Sequence, residues 1–451
     1  MVAYGLGDAG TGIAAAQLGF YLLPFLTCAA ALPVWIGGVL LMVTKLWDGF
    51  NDPLIGWLSD HTDTRWGPRL PWMFFSALPL GVSLGAIWWV PPGGVTEKTA
   101  YYIFMVILLM TAYTGVNLPY AALSTELTPK TSIRTRLNAA RFTGSILASL
   151  TGLVTASILT SEGTNGYLAM GRITGTIATV ATLVCCWGIA PFAKKARRPK
   201  KHSEPVFQQL KRILQNNLFL KVLGLYLLLW CGLQLMQSVA LFYLVQVIRV
   251  PANLSTWLLI PFQISALIGL QIWSLLSNRQ GRVKSLYLGG GLWIAGCLLA
   301  MFIPPLSGQV DLSNLMSNNW SDIFTMLTLL VSIALSGFGA STAYLIPWSL
   351  LPDAIDADPD RPAGFYTAWM VLIQRILVAL SMWTVTSLLW LTGYRSAPEC
   401  TGALTFLEQP TSAQITIRLC MGLIPAILVT VGLLIMRHWP DKKAHLQAAN
   451  L

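Results

Sequence analysis

Two aspartates and an asparagine stand close together in the stretch Lys45-Leu46-Trp47-Asp48-Gly49-Phe50-Asn51-Asp52-Pro53. On a helix, Asp48 and Asp52 at i and i+4 lie one turn apart on one face, with Asn51 beside them. Carboxylates that close repel each other in a low dielectric, and a bound cation or a shared proton relieves the repulsion. Pro53 disrupts the helical ladder and frees a carbonyl. Oxygen donors alone suit a hard ion, Na⁺ or a proton, and not a soft transition metal. The competing arrangement places both acids at a membrane surface, or neutralises them with Lys45 or an arginine from another helix.

Other polar residues recur inside apolar stretches. Tyr113, Asn117 and Tyr120 form one stripe of a helix, with Thr114 one position round and able to lend a hydroxyl to the cation. Such a stripe reads as a cavity wall, and ordinary polar packing between helices looks similar. Arg141 sits a turn into the next apolar stretch, where it could fork onto ligand oxygens or Asp52, or else snorkel to the surface. Arg375 lies too deep in its stretch for easy snorkelling, which points to a cavity. Trp348, beside Pro347, is a candidate stacking surface for a sugar ring or an acyl chain, or a core residue. Arg172 and Lys221 lie near span ends and are expected at the interfaces.

These residues need a membrane-embedded frame. Of 451 residues, 55% are hydrophobic and only 10% are charged, against roughly 25% charged in a soluble domain. So few charges cannot cover the surface of a soluble protein of this length. The expected fold is an all-α membrane protein with twelve spans, near 4–29, 33–58, 70–90, 100–125, 137–161, 168–192, 217–247, 253–276, 285–304, 323–350, 363–392 and 412–436. Pro33 is the expected break between the first two. Twenty of the 29 Lys and Arg residues fall in alternate loops and the tail, so both termini are expected in the cytoplasm. The net charge of +11 is concentrated in the run Lys194 to Arg212, which reads as a cytoplasmic loop and not as a nucleic-acid surface. The seven cysteines show no metal-ligand spacing, and neither a structural zinc nor a disulfide framework is expected. The apolar N-terminus reads as a retained helix, with no signal-peptide pattern.

The pattern repeats. The basic turns after the second and eighth spans, Ser59 to Arg69 and Leu276 to Lys284, stand six spans apart. Leu118-Pro119-Tyr120 in the fourth span has a counterpart in Ile346-Pro347-Trp348 of the tenth. Two homologous six-helix bundles, 1–192 and 217–436, are expected around a central cavity, with a basic connector at 193–216 and a cytoplasmic tail at 437–451. Halves that rock expose one site to each side in turn. The four histidines fall in loops or the tail, and no nucleophile–base pair is identifiable, so no enzyme is expected.

The run Trp47 to Gly56, continuing through Asp60 and Thr64-Arg65-Trp66-Gly67-Pro68-Arg69-Leu70-Pro71-Trp72, closely resembles the signature of the glycoside-pentoside-hexuronide:cation symporters. This is the melibiose-permease branch of the major facilitator superfamily. The resemblance covers essentially the whole chain, including Asn117-Leu118-Pro119-Tyr120, Arg134 to Asn138, Ile346 to Ser349 and Arg375. It implies Asp48, Asn51, Asp52 and Thr114 as ligands of the coupling cation, the metal site if that ion is Na⁺. It places Tyr113, Asn117, Arg141, Trp348 and Arg375 around the substrate; the residue stripe adds Tyr120.

By this resemblance the chain is a cation-coupled symporter for a sugar, glycoside or related solute in a bacterial inner membrane, driven by Na⁺ or H⁺ without a cofactor. It is expected to work as a monomer, with the lipid bilayer as its other partner. Vertebrate relatives carry lysophospholipids with Na⁺, so an amphiphile transporter is the first alternative; a non-transporting scaffold is the second. Three departures stand out. The acid that binds galactoside in the first helix of melibiose permease has no match where Thr11-Gly12 stands, and Asn117 occupies the place of a second acid. Arg375 replaces the family lysine. The cavity is therefore expected to be more basic, which suits an acidic sugar, an anionic glycoside or an amphiphile's phosphate.

Overall fold

The computed structural model describes residues 2–127, 131–160, 163–193, 214–307, 320–356, 363–395 and 406–439. Twelve long helices fill them, and no strand occurs among the described residues. The first half holds α1 (Ala3–Ala29), α2 (Val34–His61), α3 (Leu70–Ala86), α4 (Val95–Glu126), α5 (Thr131–Leu159) and α6 (Thr164–Ala193). The second holds α7 (Asn217–Val247), α8 (Leu259–Gln280), α9 (Arg282–Phe302), α10 (Trp320–Asp356), α11 (Ala363–Leu391) and α12 (Thr411–Ile435). Nine of them are long and apolar enough to cross a membrane. The helix with Lys45, Asp48 and Asp52, α2, is not among the nine. Most of the expected connector and tail, 194–213 and 440–451, lies outside the described residues.

The two halves share a local design that sets their helix ends. Helix α1 finishes in a π turn at Phe25–Ala29, and α7 finishes in one at Tyr243–Val247. Ala31 (φ 54°) and Arg249 (φ 66°) follow, the two non-glycine residues with positive φ among those described. Proline comes next in both, Pro33 capping α2 and Pro251 capping a short helix, Ala252–Ser255. A wide turn leaves carbonyls that a side chain or loop must satisfy. Lys98 Nζ donates to the Ala30 carbonyl (3.0 Å), and the Leu306 amide donates to the Ile248 carbonyl (2.9 Å). The expected break at Pro33 is where α2 begins.

These corners lie on the side opposite the termini, called here the far side. The halves meet along α2 and α11. Near the far side, a Cβ on Gly38 would come within 1.7 Å of Thr386 Oγ1, so glycine is what permits this approach. Cys28, in the π turn of α1, is disulfide-bonded, and Cys185, Cys186, Cys231, Cys297 and Cys420 are free. The expectation of no disulfide is corrected. An isolated cysteine at a span end carries no spacing signal by which to find its partner.

On the terminal side, Arg69 Nη1 donates to Ser59 Oγ (2.6 Å) across the turn between α2 and α3. In the corresponding turn of the second half, Arg282 pairs with Asp353 and also donates to the Ser349 carbonyl at the end of α10. The acidic stretch from Asp353 onward thus begins with a residue tied to the basic turn. Asp358 and Asp360 lie outside the described residues.

Candidate functional site

Helix α2 brings Asp48, Asn51 and Asp52 to its seams with α4 and α11. Thr114 of α4 donates through Oγ1 to Asp52 Oδ1 (3.0 Å). Asn51 is buried and donates its amide nitrogen to the Met110 carbonyl (3.3 Å), leaving its acceptor end for another group. Trp47 Nε1 on Thr111 Oγ1 (2.9 Å) fixes the register between the two helices. The four residues expected at a cation site, Asp48, Asn51, Asp52 and Thr114, are therefore together.

Arg375 completes the group from the other half. Its Nη2 lies 2.6 Å from Asp52 Oδ2 and its Nη1 lies 3.9 Å from Asp48 Oδ2. The side chains of Arg375 and Asp52 are 17% and 20% exposed, too buried for water to screen the pair fully. Among the described residues, Asp48 Oδ1 and Arg375 Nη1 are buried without a hydrogen-bond partner. A buried unpaired carboxylate oxygen beside a long ion pair is costly, and a small cation there would satisfy it. Lys45, one turn before Asp48, is within electrostatic reach of both Asp48 and Arg375.

A second ion pair lies within the first half. Arg141 Nε is 3.0 Å from Asp8 Oδ2, and Asn117 Nδ2 donates to Asp8 Oδ1 (3.1 Å). Sequence reasoning directed Arg141 to ligand or to Asp52, and the structure gives it Asp8 instead. It also removes the expectation of a basic cavity, because Asp8 supplies a first-helix acid four residues before Gly12. The signal was present: an acid inside an apolar span carries the same cost that marked Asp48. Tyr113 lies within electrostatic reach of Asp8, Arg141, Asp48 and Arg375.

Tyr120 takes a different part from the one expected. It is fully buried; its hydroxyl donates to the Tyr4 carbonyl while the Tyr4 hydroxyl donates to its own carbonyl (3.2 Å). Arg141 packs 5.3 Å from the centre of its ring. It braces α4 against α1 and supports Arg141, with no face left to line the cavity. The second half contributes a row of aromatic rings. Trp348, 36% exposed, meets Tyr226 edge-on at 5.7 Å, and Tyr226, Trp230 and Tyr344 continue the row at 5.9 and 5.2 Å. Tyr226 lies within electrostatic reach of Arg375. The row of Tyr226, Trp230 and Tyr344 was not legible in the sequence, since nothing along the chain pairs rings on different helices.

A family model described as MFS/sugar transport protein matches residues 3–440. The chain belongs to that family. It is a multi-pass membrane transporter and not an enzyme, in keeping with its nine apolar spans and its family. This transporter is 29% identical to an uncharacterised symporter of Synechocystis, sll1374, over 98% of this chain and 94% of that one. It is 23% identical to the mouse sodium-dependent lysophosphatidylcholine symporter 1, over 97% of this chain and 84% of that one. Among solved structures, a single-site variant of the nucleoside transporter NupG superposes with a TM-score of 0.70 at 12% identity, covering 97% of this chain and all of that one. That likeness establishes the major facilitator fold.

Proposed function

We propose that this transporter is a cation-coupled symporter in which the incoming ion and Arg375 compete for Asp48 and Asp52. The carrying observation is that the carboxylates sit on α2 of one half and the guanidinium on α11 of the other, 2.6 Å apart at Asp52. With no ion, Arg375 bridges the halves. An ion among Asp48, Asn51, Asp52 and Thr114 replaces the guanidinium, frees the halves to rock, and turns Arg375 toward the cavity. A binding event can shift such an equilibrium only through its different affinity for the two arrangements, and exchange at a single carboxylate pair supplies that difference. A scaffold would gain nothing from holding three carboxylates, Asp8, Asp48 and Asp52, inside an apolar bundle.

The solute under this reading is a sugar or glycoside that stacks on Trp348 beside Arg375, and Na⁺ or H⁺ is the coupling ion. The names of both relatives support symport, and that of the mouse protein supports Na⁺. A second reading, an amphiphile as solute, is favoured by one observation. A partly open, almost wholly apolar cleft lies among Phe20, Met236, Tyr243, Phe262, Ile333 and Met421. The termini face the cytoplasm of a bacterial inner membrane. Loop charge supports this, as does the disulfide at Cys28 on the far side, where an oxidising compartment would lie. A monomer is the working unit under this reading, since the proposed cation residues and Arg375 all come from one chain.

The test is uptake by protein reconstituted in liposomes, for a panel of glycosides and lysophospholipids, under Na⁺ and H⁺ gradients in turn. Accumulation of one member above its external concentration, dependent on one ion gradient, is expected. Equilibration unaffected by either gradient would reduce the protein to a uniporter.

A further inference from the structure

Near the far side, three consecutive residues of α1 meet the second half. Gly19 lets α1 lie against α7, since a Cβ there would come 3.3 Å from Gln237 Oε1. Phe20 is the one described residue of the first half that lines the apolar cleft; Ala240 and Tyr243 of α7, Phe262 of α8 and Ile333 of α10 stand with it. The cleft is partly open, yet Phe20 is only 3% exposed, so its ring is buried at this seam. Tyr21 faces its hydroxyl to those of Ser157 on α5 and Thr256, just before α8.

The contacts of Phe20 and Tyr21 act in opposite senses. Burying an aromatic ring between the halves favours a closed far side, in proportion to the apolar area taken from water. The hydroxyls oppose it. Tyr21 is fully buried and Thr256 is nearly so, and among the described residues neither the Tyr21 hydroxyl nor Thr256 Oγ1 has a hydrogen-bond partner. Ser157 donates its own proton to the Leu153 carbonyl (2.8 Å). A buried hydroxyl without a partner destabilises the closed arrangement, and water satisfies it once the seam opens. Packing holds the seam, and its polar groups loosen it.

We propose that Phe20 and the cleft of the second half are the knob and socket of a far-side latch, which the Tyr21 and Thr256 hydroxyls keep releasable. Phe20 and Tyr21 move with the first half, whereas the socket and Thr256 move with the second, so rocking parts both contacts at once. Opening uncovers the ring and its socket and hydrates both hydroxyls. How well the socket is filled therefore sets the balance between a far side that is open and one that is closed. The latch needs only that the halves rock, so it stands whether or not an ion drives the transporter.

The experiment places spin labels on the full chain in lipid nanodiscs, through Thr96→Cys and Arg395→Cys, at exposed far-side positions in opposite halves. The distance between the labels reports the fraction open on the far side. Phe20→Ala should raise that fraction at least about tenfold, because burying a whole phenylalanine is worth more than one tenfold step. Phe20→Leu, which keeps apolar bulk, should raise it less. Ala240→Phe crowds the socket from α7 and should open the far side when made alone. Combined with Phe20→Ala, it should restore the wild-type fraction, which a ring that only supports folding would not do. Adding Thr256→Val to Phe20→Ala should lower the open fraction about fivefold, because an unpaired hydroxyl is removed. Phe20 variants that melt lower with an unchanged distance distribution overturn the latch, and so does a double variant no nearer the wild type than either single one. A Thr256→Val change that opens the far side further overturns the part given to the hydroxyls.

Discussion

Replacing Arg375 by Gln removes the guanidinium while keeping similar bulk and a polar tip. Asp48 and Asp52 are then left facing each other in the bundle, and breaking a buried pair in this way costs about 3–5 kcal/mol. The ion-free protein should be the one that suffers. Unit charges about 4 Å apart attract by about 4 kcal/mol at an effective dielectric near 20, and close buried charge pairs show measured couplings from about 1.5 kcal/mol upward. If an incoming ion must overcome about 2–3 kcal/mol of that attraction in the wild type, its removal tightens cation binding by about 30- to 150-fold. The assay is a Na⁺ titration of purified protein at constant ionic strength and pH, read by thermal stability and repeated with Li⁺. The variant should melt lower without Na⁺, saturate at a much lower Na⁺ concentration, and lose gradient-driven accumulation. Unchanged or weaker Na⁺ binding would refute the competition, because Arg375 would then be part of the ion's site and not its rival.

Asp52→Asn should abolish uphill uptake while preserving exchange of solute down its gradient, measured in the same liposomes; retained accumulation would remove Asp52 from the coupling. Gly38→Val places carbon where Thr386 Oγ1 lies within 1.7 Å of a Cβ. Overpacking of this kind costs about 1–3 kcal/mol, so the far side should open about tenfold or more in population, seen as increased labelling of cysteines introduced near Gly38. Trp348→Ala should weaken solute binding about tenfold, from lost stacking of about 0.5–1.5 kcal/mol plus burial, and leave the Na⁺ midpoint unchanged. A parallel shift of both would mean that Trp348 acts on the ion site.

The spans, and the closeness of Asp48 and Asp52, were legible because each obeys a local rule. Hydrophobic length marks a helix crossing the membrane, and i, i+4 spacing fixes that Asp48 and Asp52 share a face whatever packs against it. Arg375 was legible as an anomaly of depth, but not as a partner, since nothing along the chain encodes which helix of the other half lies opposite. Tyr120 shows the reverse error: its stripe with Tyr113 and Asn117 is real, yet the reciprocal hydrogen bonds with Tyr4 bury it. Asp8 was passed over because the family pattern drew attention to the vacant place at Gly12. The cost of an acid in an apolar span, applied evenly, identifies it. The paired corners at Ala31 and Arg249 are partly visible in sequence, each two residues before a proline, whereas the π turns that shape them come from packing.

Under the proposed mechanism, one pair of carboxylates alternates between an arginine and an ion. Experimental structures of the purified protein with and without saturating Na⁺ address it most directly. In Na⁺ the Arg375 guanidinium should leave Asp52 and an ion should lie among Asp48, Asn51, Asp52 and Thr114. An Asp52–Arg375 pair that persists unchanged while Na⁺ is bound would contradict it.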